Sequence, residues 1–129
     1  MNNYQEIVAN TYKLMAQGKI AEFKAALAND IVWREATGAP YAGEFIGPDA
    51  VVENVHARLN ADWADFKAID DVYAVNGNTV FVYGEYSGIN RQTGKAFSAP
   101  FVHLYEINAD DKVASFTQIT DTKLMWDAM

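Results

Sequence analysis

Two side chains stand out for what they could do to a proton. The segment Asp30-Ile31-Val32-Trp33-Arg34-Glu35 alternates as a strand does, with Ile31, Trp33 and Glu35 on one face and Val32 and Arg34 on the other. A carboxyl group on an apolar face resists ionising, which raises its pKa and makes it a usable proton shuttle. The plainer alternative is a carboxylate at a strand end, wetted beside a loop at 37–43. The same alternation in Phe101-Val102-His103-Leu104-Tyr105 puts His103 on an aromatic face with Phe101 and Tyr105. A histidine titrates near neutrality and gives or takes a proton at small cost. Its plainer alternative is a core histidine satisfied by one hydrogen bond.

The elements that must position this pair follow from periodicity. Tyr4, Ile7, Val8, Thr11, Leu14 and Met15 recur at spacings of three and four, which predicts a helix over 3–17 that Gly18 can end. A second helix is expected at 19–28, then a strand at 30–35. Gly47-Pro48-Asp49 opens a third helix, with proline at the first position and an acid in the first turn. Its stripe is Val52, Val55, His56 and Leu59, with His56 on the inner edge. Beyond Trp63 three turn signals, Asn76-Gly77-Asn78, Gln92–Lys95 and Asn108–Lys112, divide strands at about 65–75, 79–90, 96–107 and 112–120. Both faces of 79–90 are partly apolar, so its inward side stays open. A last helical turn is expected over 121–128, with Asp121 as its N-cap. Helices first and an antiparallel meander later mean α+β, with the helices covering one face of a curved sheet.

The 129 residues suit one domain. A net charge of −7 argues against a nucleic-acid partner, because phosphate contacts need clustered Lys and Arg. The longest stretch without a charged residue or histidine, Val72 to Gly84, is too short to span a bilayer. No cysteine is present, and the two histidines make a histidine-rich metal site improbable. Met1 to Glu6 lacks a signal peptide's basic stretch and apolar run, so a cytoplasmic location is the default expectation.

Several segments resemble the nuclear transport factor 2-like superfamily: Gly18, Asn29–Trp33, Gly43–Val51 and Thr93–Phe97. Pro100–Glu106 and Phe116–Asp121 look like its SnoaL-like branch, related to ketosteroid isomerase. The resemblance implies a cone-shaped curved antiparallel sheet on three N-terminal helices, in the order α-α-β-α-β-β-β-β. It implies no cofactor. It sets Glu35 where the isomerases carry the aspartate that moves the proton, and His103 where they carry the acid of the oxyanion hole. The ungapped match sets Thr11, with Tyr12 beside it, where the isomerases have a helical tyrosine. It sets Gln118 where polyketide cyclases have an acid, and glutamine orients a carbonyl without taking a proton.

The resulting expectation is a pocket for a small apolar molecule with a polar group, such as a carbonyl compound. Glu35 and His103 are its candidate catalytic pair. Its candidate lining is Thr11, Tyr12, Trp33, Tyr41, Phe45, His56, Phe101, Tyr105, Phe116 and Gln118, with Tyr83 and Trp126 in a wider aromatic pool. The chemistry implied is cofactor-independent isomerisation or cyclisation. The alternative is a non-catalytic binding module. A homodimer through the sheet is expected, because the outer face also carries apolar residues such as Val102, Leu104 and Ile119.

Overall fold

The computed structural model describes residues 3–129. Helix α1, Tyr4–Ala16, starts where the Asn3 side chain accepts from the Glu6 amide, and it buries Val8, Thr11 and Leu14. Gly18 follows at φ +70°, a conformation only glycine adopts freely, and the Lys19 amide closes back on the Leu14 carbonyl. Helix α2 is shorter than expected, Ile20–Ala25. Strand β1 begins already at Leu27 and runs to Glu35. The alanines around 25–28 favour helix, but the Val113 amide bonds the Ala26 carbonyl at 3.1 Å and draws this stretch into the sheet.

Strand β2, Gly43–Ile46, was not expected. It is a short edge strand antiparallel to β1, with Phe45 opposite Trp33. The third helix is built in three parts: α3 at Pro48–Val51, a π-helical turn at Val52–His56, and α4 at Ala57–Asp62. The meander then follows as anticipated, with β3 Trp63–Asn76, β4 Thr79–Asn90, β5 Ala96–Ile107 and β6 Val113–Thr120, before α5 at Thr122–Asp127.

The six strands form one open sheet in the order β2-β1-β6-β5-β4-β3. The meander is antiparallel, but β1 pairs with β6 in parallel, so the sheet is mixed rather than purely antiparallel. Register shifts between Ala64 and Lys67 and between Asp70 and Val72 bend β3 against β4. Gly84, opposite Asp70, makes room at the bend: a Cβ there would lie 2.2 Å from the Ile69 carbonyl oxygen and 2.4 Å from the Phe101 ring.

The concave face meets the helices. Val80, Val82 and Tyr86 of β4 turn inward and are buried, whereas Phe81 and Tyr83 face out. Val8, Ile31, Trp63, Phe101 and Phe116 are almost wholly buried in the core between these layers. On the convex face, Val72, Tyr83, Val102 and Ile119 are register partners in turn across β3, β4, β5 and β6. No helix among the described residues is long and apolar enough to cross a membrane.

Candidate functional site

Between the concave sheet and α1, α2 and the π-helical turn lies a cavity of about 900 Å³. That is in the size range of small-molecule sites, roughly 300–1,000 Å³. A shallower hollow of about 460 Å³ shares Phe97 with it and is otherwise lined by residues such as Leu124 and Ala128, with Lys95 and Asp127 as its charged groups. Glu35 and His103 both line the larger cavity, although they come from distant strands. Among the described residues no group of His, Asp and Glu could hold a metal ion.

Glu35 ends β1 and is 8% exposed. Burial pushes its pKa up to about 7, opposed by the hydrogen bond that Trp33 Nε1 donates to Oε2 at 3.1 Å. Trp33 is itself clamped, stacked on Phe116 with ring centroids 3.7 Å apart. Glu35 is therefore a carboxyl group held on a rigid strand and poised to exchange a proton near neutral pH.

His103 lies at the middle of a chain of hydroxyl groups. Tyr12 OH meets its Nδ1 at 2.7 Å, and Tyr86 OH meets its Nε2. Tyr105 OH donates to Tyr12 OH at 2.7 Å, and Gln118 Nε2 donates to Tyr86 OH at 2.9 Å. Burial, with His56 nearby, holds the His103 pKa well below the usual histidine range, so the ring is neutral. Both ring nitrogens are engaged, and neither is left to bond a ligand directly. Burial raises the Tyr12 and Tyr86 hydroxyls well above the usual tyrosine range, so these stay protonated donors.

Thr11, Tyr12, Trp33, Tyr41, His56, Tyr105, Phe116 and Gln118 line the same cavity. Thr11 spends its hydroxyl on the Val8 carbonyl at 2.7 Å, so Tyr12 is the helical side chain that reaches into the hydroxyl chain. Tyr41 gives its hydroxyl proton to Asp62 at 2.6 Å. His56, on the π-helical turn, packs edge-on against Phe23 and Trp33, and burial lowers its pKa to about 4. Its Nδ1 is buried and has no hydrogen-bond partner among the described residues. Phe45 and Phe101 do not line the cavity. Phe45 packs over Gly43 on the edge strand, and Phe101 stacks behind His103 at 3.9 Å. Tyr83 and Trp126 are half exposed and lie elsewhere. Asp121 occupies the N-cap position of α5 without a capping bond from its side chain, and lines the cavity instead. Tyr86 is the residue that sequence reasoning missed; its signal was the inward face Val80, Val82 and Tyr86, masked because Phe81 and Tyr83 make the opposite face look equally apolar.

The model of the SnoaL-like domain matches residues 8–116. The chain belongs to the SnoaL-like domain family. An NTF2-like protein from Burkholderia thailandensis is 36% identical, with a TM-score of 0.94 over 100% of this chain and 98% of that one. A putative SnoaL-like polyketide cyclase from Shewanella denitrificans shares the fold at 15% identity, with a TM-score of 0.79 over 97% and 95% of the two chains. TerC, co-crystallised with polyporic acid, shares it at 18% identity, with a TM-score of 0.86 over 97% and 96%. No curated protein is similar enough to count as a match. Within this SnoaL-like frame, the chain departs from the isomerase pattern at Thr11, whose hydroxyl is turned back onto its own helix.

Proposed function

We propose that this SnoaL-like protein binds a small, mostly apolar carbonyl compound in the 900 Å³ cavity and moves a proton on it without a cofactor. The observation that carries the reading is Glu35, a buried carboxyl group with a pKa near 7 facing the same cavity as the polar chain centred on His103. Glu35 is the base that takes a proton from the carbon beside the carbonyl. The His103 chain supplies hydrogen bonds to the oxygen on which negative charge develops. Such bonds gain strength where water is scarce. The reaction class is isomerisation or cyclisation through an enolate. The working unit is a homodimer, in which the convex row Val72, Tyr83, Val102 and Ile119 meets its own copy. This row is uncharged, as self-association of a chain with net charge −7 requires.

The test uses 2-tetralone, an apolar bicyclic ketone with exchangeable protons next to the carbonyl. The protein should speed deuterium uptake at that carbon in D₂O, read by proton NMR, and Glu35→Gln should slow it by about 10²–10⁴-fold. Tetralone that binds without accelerated exchange would leave the non-catalytic binding module as the correct reading.

A further inference from the structure

The directions of the hydrogen bonds around His103 follow from a donor-only group at one end of the chain and from the bond that Tyr105 gives to Tyr12 at the other. At one end the Ala36 amide, which can only donate, bonds Gln118 Oε1 at 2.9 Å. This fixes the side-chain amide, so that Gln118 Nε2 faces Tyr86 and donates to its oxygen at 2.9 Å. At the other end Tyr105 OH donates to Tyr12 OH. Tyr12 must then give its own proton to its remaining partner, His103 Nδ1, 2.7 Å away. A neutral imidazole that accepts at Nδ1 carries its proton on Nε2 and donates it to Tyr86. The Tyr86 oxygen thus accepts from two donors. Its own proton has no acceptor in the chain, and no hydrogen bond joins Tyr86 to Glu35 among the described residues.

Tyr86 lines the cavity beside Glu35, His103 and Gln118. We propose that the Tyr86 hydroxyl is the donor that holds the ligand's carbonyl oxygen, and that His103 is a positioning residue whose Nε2–H tautomer leaves that hydroxyl proton free. This rests on the carbonyl-binding reading above and names the group that selects the oxygen. A hydroxyl that accepts twice is polarised and donates more strongly. The geometry favours ligands whose oxygen accepts a hydrogen bond while an acidic carbon faces Glu35, which describes an enolisable ketone. An alcohol of the same shape meets the donor but has no acidic carbon to offer.

Two measurements test it. The chain has only two histidines, so His56→Gln leaves a single imidazole to assign. In protein labelled with ¹⁵N-histidine, long-range proton–nitrogen NMR should show His103 protonated on Nε2. A proton on Nδ1 overturns the inference, because Tyr86 would then have to give its proton to Nε2. The second measurement is the infrared carbonyl band of 2-tetralone carrying ¹³C at the carbonyl. Binding to the intact protein should lower its frequency, and Tyr86→Phe should reverse the shift and weaken binding by about 3- to 10-fold. An unchanged band in Tyr86→Phe overturns the role of Tyr86. A band that shifts and responds to Tyr86→Phe, without catalysed exchange, supports Tyr86 as the binding donor and removes only the proton-transfer reading. No tetralone binding at all counts against both. Circular dichroism of Tyr86→Phe, matched to the parent, confirms that a lost shift reflects a lost hydroxyl.

Discussion

Glu35 owes its raised pKa to burial, which outweighs the hydrogen bond from Trp33, and the same burial ties its protonation to stability. Its folded value of about 7 lies above the ordinary 4.5, so the folded state holds this proton more tightly than the unfolded chain does. The stabilisation is complete below about pH 4.5, shrinks as the pH rises, and is gone above about 7. His56 acts in the opposite sense, because its folded value of about 4 lies below 6.5 and its contribution is lost as the pH falls through that window. Glu35→Gln isolates the first effect: measured by urea unfolding, its stability relative to the parent should rise between about pH 4.5 and pH 7 and level off above that. Exchange of 2-tetralone should rise over the same range, because the base must be ionised to act. Strand alternation was enough to put Glu35 and His103 on inward faces, since a period of two needs only local residues. It could not reveal that both His103 nitrogens are engaged. That depends on Tyr12 of α1 and Tyr86 of β4, the latter in turn held by Gln118 of β6.

At the scale of elements, the helices and the three turns were readable because their signals are local: Gly18 after α1, Pro48 opening α3, and Asn76-Gly77 between β3 and β4. What was not readable has non-local causes. Strand β2 is only Gly43–Ile46, too short to show a period, and it exists because β1 offers an edge. The π-helical turn leaves no mark in the spacing of Val52, Val55 and His56, yet it carries the unpartnered Nδ1 of His56 at the cavity wall. Gly84 reads as an ordinary interruption of β4, whereas its lack of a side chain is what lets the bend in β3 and the Phe101 ring approach. Gly84→Ala should therefore cost about 3 kcal/mol or more in a urea melt, since the clash is partly with backbone and cannot be relieved by a rotamer change. Because Phe101 stacks on His103, the same substitution should also disturb the hydroxyl chain.

For the whole molecule, the apolar character of both faces of β4 has two different explanations. The inner face is core. The outer one belongs to a row that crosses four strands, with Tyr83 50% and Ile119 59% exposed. Sequence alone showed that both sides were apolar; only register showed that the outer residues line up. If this row joins two copies, light scattering at tens of micromolar should give a dimer, the range in which an interface of standard size is filled. Ile119→Lys should weaken that association by at least ~100-fold, because an unpaired ammonium would have to be buried in it. The same substitution should leave the monomer's melting temperature nearly unchanged, since the side chain is exposed in the single chain. A monomer at that concentration removes the homodimer from the proposal.

The parallel pairing of β1 with β6 also sets a timetable. Trp33 lies opposite Phe116, and the Ala36 amide waits for Gln118, so one half of the cavity wall has no neighbour until residues 113–120 have been made. A chain emerging from the ribosome can form α1, α2 and the β1–β2 pair early, but it must leave β1 with one edge open while the whole meander is synthesised. Closing so long a loop is slow, because the entropy lost in bringing its ends together is not repaid until the last strand docks. The cavity is therefore the last part of the molecule to come into being, and a nascent chain has no enclosed pocket before the sheet is finished.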